Sequence, residues 1–312
     1  MSNYVKISCV GPKAIEIDVT LPLDQAVDEM ADHLETRISM VTPDQPDLIV
    51  LPEACDRPSN FPVELRKRYY EERKDRILDR LSAIALKNRC YIAYSAAVKM
   101  EDGSYRNATR LIGRDGKIAG TYHKNHVVVE ETTKGDILCG KQANVIDCDF
   151  GKVACVICFD LNFDEIRETY KKQKPDLILF SSVYHGGLMQ SYWAYSLRAH
   201  FAGAVAGLPC TVLSPSGSLL ASSTNYFDFV TATINLDCEL IHLDYNRDQF
   251  PAIKEKYGSK VTISDPGFLG AVIISSETEE FTVGKIIDEY NLELLDDYFE
   301  RALTHRKNNM ED

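Results

Sequence analysis

Short apolar runs with the length and composition of buried β-strands alternate with helical segments along most of this sequence, and that alternation limits the fold more than any other feature. Two of the runs are alike: P-D-L-I-V-L-P-E at 46–53 and P-D-L-I-L-F-S-S at 175–182. A segment with helical spacing of its apolar residues follows each run. The likeness predicts an α/β fold built from two similar βα halves, whose sheets face each other with the helices outside.

Periodicity and turn residues place the individual elements. Apolar residues at helical spacing predict helices over residues 22–38, 69–88, 193–206 and, in the charged tail, 286–306. Short apolar runs predict strands at 46–53, 91–98, 108–113, 117–122, 153–158, 174–182, 210–214 and 219–222. The dipeptides Asp102-Gly103 and Asp115-Gly116 are strong signals for hairpin turns between the strands on either side of them.

Composition excludes several classes of function. The chain of 312 residues is 45% hydrophobic and carries a net charge of −12, so binding to nucleic acid or to an anionic membrane is not expected. No apolar run approaches the roughly 18 residues that span a bilayer, and the N-terminus has no secretory leader pattern. We therefore expect a cytoplasmic protein, and its nine cysteines are expected to be reduced thiols.

No linker or low-complexity segment divides the chain, which predicts a single domain over 1–312. The segment from about 250 to 312 is expected to be a C-terminal extension that includes a helix. This helix would pack either on the body of the domain or at a subunit interface.

Cys158 ends the apolar run V-A-C-V-I-C and is followed at once by polar residues, which leaves three interpretations. A Cys-x-x-Cys pair with Cys155 fails on geometry, because residues three apart in a strand are about 10 Å apart and a disulfide needs Cα atoms within about 7 Å. A buried core cysteine is the ordinary case and suits Cys155. Cys158 stands at the end of a strand, where α/β sheets display functional groups, so both a core cysteine and a nucleophile remain open for it.

A nucleophilic cysteine needs a base for its proton and a cation or amide for the oxyanion. Glu53 comes directly after the apolar residues of the 46–53 strand, and Lys124 follows the 117–122 strand in Y-H-K-N-H. Taken alone, each could be an ordinary loop residue. An acid, a lysine and a cysteine in this order, each just after a predicted strand, together predict a catalytic set.

Three segments resemble the signature segments of the nitrilase, or carbon–nitrogen hydrolase, superfamily: D-L-I-V-L-P-E at 47–53, Y-H-K-N-H at 122–126 and C-F-D-L-N-F-D-E-I-R at 158–167. The resemblance covers roughly residues 5–240. It implies a four-layer α-β-β-α sandwich of two mixed sheets that pairs through its outer helices into a homodimer or a higher homo-oligomer. It also implies a Glu–Lys–Cys triad of Glu53, Lys124 and Cys158. A second glutamate follows the lysine in many members, and Glu131 is the better candidate for it, with Glu130 as the alternate.

The resemblance further implies hydrolysis of a non-peptide C–N bond through a thioester, without a metal or organic cofactor. Cys158-Phe159-Asp160 resembles the amidase and carbamoylase branches more than true nitrilases. The expected partner is therefore a small amide or N-carbamoyl substrate, while a nitrilase, an acyl-transferring relative and a non-catalytic binding module of the same fold remain alternatives. Candidate substrate-binding residues lie in loops at the same sheet edge: His126, Phe159, Ser182, Tyr184, His185 and Trp193.

Overall fold

The computed structural model describes residues 1–311, whose contacts divide the chain into two compact units. The larger unit is Val5–Ile234, and the smaller one combines Met1–Tyr4 with the chain from Asn235 onward. The smaller unit takes in the whole segment after about residue 250. A single domain over 1–312 and a place for that segment at a subunit interface stay predictions.

Two mixed sheets of six strands each dominate the larger unit. In chain order the strands are β1 (Tyr4–Val10), β2 (Leu48–Val50), β3 (Tyr91–Lys99), β4 (Tyr105–Ile112), β5 (Ile118–His123), β6 (Ile146–Cys148), β7 (Gly151–Ile157), β8 (Leu177–Ser182), β9 (His200–Val205), β10 (Thr211–Leu213), β11 (Leu219–Ser222) and β12 (Phe229–Asn235). The first sheet has the order β12-β1-β2-β3-β4-β5 and the second the order β11-β10-β9-β8-β7-β6. In each sheet three central strands run parallel and hairpins extend it, as Asp102-Gly103 and Asp115-Gly116 predict for β3-β4 and β4-β5.

Helices cover the outer face of each sheet. They are α1 (Leu23–Ser39), α2 (Val63–Arg73), α3 (Arg76–Asn88), α5 (Asp164–Lys171) and α6 (Leu188–Leu197). The short helix α4 (Val129–Thr133) lies in the segment after β5 and has no buried residue. The first three pack on one another and on the first sheet, and α1 buries the apolar stripe that its helical spacing predicts, from Ala26 to Ile38. On the second sheet, α6 packs against β9 and α5 packs against α6.

The inner faces of the two sheets meet. Strand β2 contacts β8 and β9, and β4 contacts β7. The Ser181 hydroxyl donates a hydrogen bond of 2.8 Å across this interface to the Leu51 carbonyl oxygen. The four-layer α-β-β-α sandwich of two mixed sheets is therefore confirmed, and the carboxyl ends of β2 and β7 lie at one edge of it.

Three of the predicted helices are wrong in extent. The predicted helix over 69–88 is two helices, because Lys74 between α2 and α3 has a φ of 45°, which no α-helix accommodates. The predicted helix over 193–206 is the end of α6 followed by strand β9. Its break comes at Arg198, with a φ of 55°, and H-F-A-G-A-V then pairs with β8 and β10 inside the sheet. Short apolar runs of this kind have no period that separates helix from strand.

The smaller unit is built on an antiparallel sheet with the order β13-β15-β14, in which β13 is Cys238–His242, β14 is Val261–Ser264 and β15 is Ala271–Ser276. Its helices are α7 (Phe250–Tyr257), α8 (Val283–Tyr290) and α9 (Leu295–Asn308). The predicted tail helix over 286–306 is thus two helices, interrupted at Asn291 with a φ of 48°. None of the helices described in residues 1–311 is both long enough and apolar enough to cross a membrane.

A buried ion pair fixes the loop that follows β2. Asp56 is fully buried, and its Oδ2 lies 2.5 Å from Nη1 of Arg73, which is 3% exposed. Tyr94 donates a hydrogen bond to the same carboxylate, and Arg73 also donates to the carbonyl of Ala97. Since both ions are out of water, either one alone would be a buried, unpaired charge.

We expect Arg73→Met to lower the free energy of unfolding by about 3–5 kcal/mol, because it leaves the Asp56 carboxylate without its cation. Arg76→Met is the matched control: Arg76 also pairs with an aspartate, Asp28 at 2.7 Å, but both side chains are exposed. Its loss should cost less than about 1 kcal/mol. Denaturant unfolding of both variants checks this, and equal losses of stability would contradict it.

Candidate active site

The backbone turns sharply where β7 ends and presents Cys158. This residue begins a short 3-10 turn, Cys158–Asn162, and has a φ of 48°. A left-handed conformation costs a non-glycine residue on the order of 1–3 kcal/mol and persists only where surrounding contacts impose it. Ala54, directly after Glu53, has the same φ of 48°. The chain is therefore held in a strained conformation at two of the three strand ends that carry predicted catalytic residues.

Asp160 supplies contacts that impose the turn. Its side chain is fully buried and accepts hydrogen bonds from the Tyr122 hydroxyl at 2.8 Å and from the backbone N–H groups of His126 at 2.6 Å and Ile157 at 3.3 Å. These bonds connect the turn to β5 of the other sheet and to the loop after it. Asp160 thus fixes the turn at Cys158–Asn162 relative to the segment that carries Lys124.

Lys124 connects the predicted acids. It lies just past β5, is 2% exposed, and its Nζ is 2.8 Å from Oε1 of Glu53 and 2.7 Å from Oε2 of Glu131. Glu131 is on the short helix α4, whereas the neighbouring Glu130 is exposed and makes no ion pair with Lys124 within residues 1–311. The structure therefore brings together Glu53, Lys124 and Glu131.

Asn107 on β4 completes this group, and sequence reasoning missed it. Its Nδ2 donates hydrogen bonds of 2.8 Å to Glu53 and 2.9 Å to Glu131, so one amide holds both carboxylates. The only sequence signal is a polar amide directly before the strand predicted at 108–113. That signal alone does not distinguish a site residue from an edge position.

The ionisation of the group follows from these contacts. Burial opposes a charge on Lys124, but the two carboxylates outweigh burial and raise its pKa. Burial would likewise raise the pKa of Glu131, yet the ion pair with Lys124 and the bonds from Asn107 and the Val128 N–H lower it overall. The site therefore holds a permanent ammonium ion beside an ionised Glu131 at neutral pH.

The Cys158 thiol lies beside this group. Burial, the Glu53 carboxylate and a hydrogen bond with it raise the pKa of the thiol to about 12, although Lys124 and the Ser182 hydroxyl act in the opposite direction. The resting cysteine is thus a neutral thiol rather than a preformed thiolate. Glu53 Oε2 is buried and receives no hydrogen bond from a nitrogen or oxygen donor in residues 1–311, so it is available to the thiol proton.

A cavity of about 400 Å³ opens onto these residues. Its wall includes Glu53, Asn107, Lys124, Glu131 and Cys158. The remaining wall comes from the loop after Glu53, from α2, from the α4 region and from Val183, and much of it is apolar. A cavity of this size and composition suits a small molecule with an apolar chain and few polar groups.

The predicted substrate-binding residues fall into two groups. Ser182 and Tyr184 lie near Cys158: the Ser182 hydroxyl acts to lower the pKa of the Cys158 thiol, and the charge of Cys158 helps to raise the pKa of Tyr184. The Ser182 hydroxyl also donates to the Tyr184 carbonyl at 2.6 Å, which fixes the loop after β8. Phe159 is 37% exposed and packs edge-on against Phe163, with ring centroids 5.1 Å apart, outside the cavity wall.

The other three lie away from the cavity. His126 stacks on Phe163 with ring centroids 3.7 Å apart, and its Nε2 lies 2.6 Å from Glu165. It therefore contacts the residues that follow the turn at Cys158–Asn162. Trp193 is fully buried in α6 and donates its indole N–H to the Leu161 carbonyl at 2.8 Å. His185 accepts a hydrogen bond from the Gly187 N–H at 3.2 Å. These three side chains and Phe159 do not line the cavity.

Within residues 1–311 no group of three or more histidine, cysteine, aspartate or glutamate side chains is arranged to hold a metal ion.

Comparisons with known proteins agree with the fold. The family model described as carbon-nitrogen hydrolase matches residues 20–224. An omega-amidase of Xenopus laevis, NIT2-B, is 21% identical over 242 residues, which are 70% of this chain and 86% of that protein. Human omega-amidase NIT2 is 22% identical and covers 67% of this chain and 82% of its own length.

Solved structures show the same architecture. An amidase from Nesterenkonia sp. superposes with a TM-score of 0.61 at 17% identity, over 82% of this chain and 97% of that one. Saccharomyces cerevisiae Nit3, described as a member of branch 10 of the nitrilase superfamily, gives a TM-score of 0.59 at 17% identity, over 82% and 95% of the two chains. The family match covers most of the larger unit and includes every residue of the Glu53, Lys124, Glu131 and Cys158 group. This chain belongs to the carbon–nitrogen hydrolase family.

Proposed function

We propose that this protein hydrolyses the C–N bond of a small amide or N-carbamoyl compound through a thioester on Cys158. The observation that carries the proposal is the buried Lys124, bound to two carboxylates and lining the same small cavity as a thiol in contact with one of them. Relatives that are named amidases support an amide or carbamoyl group over a nitrile.

In the first half of the reaction Glu53 accepts the Cys158 proton as the sulfur attacks the carbonyl carbon. The raised pKa of the thiol means that this transfer must accompany attack, since little thiolate exists beforehand. The tetrahedral intermediate then collapses, the C–N bond breaks, and Glu53 gives its proton to the leaving nitrogen. An acyl thioester and ammonia or an amine result.

In the second half Glu53 accepts a proton from water, which attacks the thioester carbon. The C–S bond breaks, the acid or carbamate leaves, and the proton returns to Cys158. Water has thus been added across the original C–N bond, and no oxidant or other co-reactant is required.

Two donors would stabilise the oxyanion in both halves. One is the Lys124 ammonium, whose charge is fixed by its two carboxylate partners. The other is the backbone N–H of Phe159, which stands at the start of a helical turn, where amide groups have no partner within the turn. A single well-placed donor of this kind contributes about 3–4 kcal/mol to transition-state stabilisation.

We also infer that the protein acts as a homodimer. Helix α6 exposes large apolar side chains on the outer face of the second sheet, with Leu188 81% and Tyr192 39% exposed. An exposed apolar helix face in a protein of this fold suits pairing with a second copy. The cytoplasmic location stays a prediction.

We expect purified protein to release ammonia from primary amides or N-carbamoyl amines, and Cys158→Ala to abolish that release. Ammonia together with CO₂ would identify a carbamoylase, ammonia alone an amidase. The assay compares primary amides, N-carbamoyl amines and nitriles as substrates. Added hydroxylamine detects acyl transfer, because the acyl group would then appear as a hydroxamate. Activity that survives in Cys158→Ala would exclude the nucleophile assigned here.

We expect Glu131→Gln to lower kcat by about 100-fold, because the Lys124 ammonium would lose one of the two anions that position it. Glu130→Gln is the matched control, since it makes the same chemical change one residue away, on an exposed side chain without contact to Lys124. Steady-state kinetics on the best amide of the panel, with thermal unfolding of both variants, measures the difference. Equal losses of kcat would show that Glu131 has no special part.

A further inference from the structure

A second cavity, of about 200 Å³, lies at the carboxyl ends of four strands, and we call it the strand-end cavity. Strands β1 and β2 are parallel neighbours in the first sheet, and β8 and β9 are parallel neighbours in the second. The loops after β1 and β9 meet where the Gly207 N–H donates a hydrogen bond of 2.9 Å to the Gly11 carbonyl oxygen. One residue from the segment after each strand shows how the cavity is lined: Ala14, Glu53, Val183 and Ala206. Crevices at this position of an α/β sheet commonly hold functional groups or ligands.

The strand-end cavity borders the cavity that contains Cys158, which we call the catalytic cavity. Glu53, Ala54, Arg57 and Val183 belong to the walls of both. Cys158 lines the catalytic cavity and is not in the wall of the strand-end cavity. The proposed base therefore stands between the space that a substrate fills and a separate space behind it.

On its other side the strand-end cavity borders a larger, outer cavity of about 760 Å³. Lys13, Ala14 and His33 belong to both walls. The wall of the outer cavity also contains Tyr226, which is 83% exposed, so this cavity is open to solvent. Shared walls thus connect solvent to Glu53 through a series of cavities.

His33 gives the strand-end cavity an unsatisfied polar group. Its Nε2 is buried and has no hydrogen-bond partner in residues 1–311, while the ring makes a hydrogen bond with the backbone of Lys13. Burial and the charge of Arg37 lower the pKa of His33, against an opposite effect of Asp228, so the ring is neutral at neutral pH and one nitrogen accepts a hydrogen bond. A buried acceptor without a protein partner is usually satisfied by water.

The size and the wall of the strand-end cavity also suit water. A volume of about 200 Å³ holds several water molecules, each of which takes up roughly 30 Å³ in the liquid. Polar side chains at both ends, His33 and Glu53, supply hydrogen-bond partners.

The second half of the proposed reaction needs such a supply. The acyl group on Cys158 then occupies the catalytic cavity, whose wall is largely apolar, and water has to reach both Glu53 and the thioester carbon. An apolar acyl chain excludes water from the space that it fills. A route that reaches Glu53 from elsewhere would avoid this competition.

We propose that the strand-end cavity is a water inlet, through which the hydrolytic water reaches Glu53 by a route separate from the space that the substrate fills. The inference rests on the proposed function for the reaction at Cys158 but not for the presence of water in the cavity. The water gives one proton to Glu53, its oxygen bonds to the thioester carbon, and the C–S bond breaks as the proton returns to the sulfur. The inlet thus adds no co-reactant.

Filling the inlet should slow deacylation and spare acylation. We expect Ala206→Leu to lower the rate constant for deacylation by about 10-fold and to leave the first-turnover release of ammonia within about twofold of wild type, so that acyl-Cys158 accumulates. Rapid acid quench, with mass spectrometry of Cys158 and an ammonia assay on the same samples, measures both steps. Equal losses in the two steps would overturn the inlet.

Two further variants control this test. Ala221→Leu makes the same change at another half-buried alanine, on β11 and outside the walls of all three cavities, and should leave both steps unchanged. Ala14→Leu fills the strand-end cavity from the loop after β1 and should slow deacylation as Ala206→Leu does, so the test does not depend on the folding of one variant. Thermal unfolding confirms that each variant is folded. Deacylation as fast in Ala206→Leu and Ala14→Leu as in Ala221→Leu would overturn the proposal.

A crystal structure of the full-length Cys158→Ala protein separates this inference from the proposed function. We expect ordered water in the strand-end cavity, with one molecule at hydrogen-bond distance from Nε2 of His33. Water in this cavity, in a protein whose parent forms no acyl group on Cys158, would support the hydrated cavity and overturn the proposed reaction. Acylation and hydrolysis by a protein whose strand-end cavity is dry would support the reaction and overturn the inlet.

Discussion

The buried ammonium of Lys124 is the interaction on which the rest of the site depends. A lysine that is 2% exposed is tolerated only because Glu53 and Glu131 lie 2.8 and 2.7 Å from it, and these carboxylates in turn are held by the single amide of Asn107. Removing Lys124 would leave two carboxylates in this group without a cation. The arrangement positions the proposed base, Glu53, and the proposed oxyanion donor, Lys124, before a substrate arrives, so that neither would have to reorganise during the reaction.

The three residues of the proposed triad stand at the ends of strands. Glu53, Lys124 and Cys158 each follow a strand. Because the two sheets pack face to face, the ends of these strands lie at one edge of the sandwich. The backbone at Cys158 is in a left-handed conformation, which costs free energy. Asp160 offsets this cost by accepting hydrogen bonds from β5 and from the loop after it. The same carboxylate thus shapes the nucleophile's turn and ties it to the sheet that carries the lysine.

Sequence reasoning predicts the parts of this structure that depend on local pattern. Strands around Glu53, Lys124 and Cys158 were predictable because apolar runs end abruptly at polar residues. Their alternation with helices predicted an α/β fold, and the family resemblance implied the four-layer sandwich. The structure of segment 193–206 was not predictable from local pattern, because His200–Val205 forms a strand through its pairing with β8 and β10. The contacts of Asn107 were not predictable either, because they depend on which side chains meet in space. Tryptophan and histidine are common in binding sites, but Trp193 and His126 make structural contacts here. Trp193 donates a hydrogen bond to the Leu161 carbonyl, and His126 stacks on Phe163.

The central claim is that Cys158, with its proton taken by Glu53, becomes acylated during turnover. Rapid acid quench of the wild-type protein with its best amide, followed by mass spectrometry of the digested chain, tests this most directly. We predict an added mass equal to the acyl group on the peptide that contains Cys158, formed with the first equivalent of ammonia and absent from Cys158→Ala. Release of that ammonia with no acyl group on Cys158, at quench times shorter than one turnover, would contradict it.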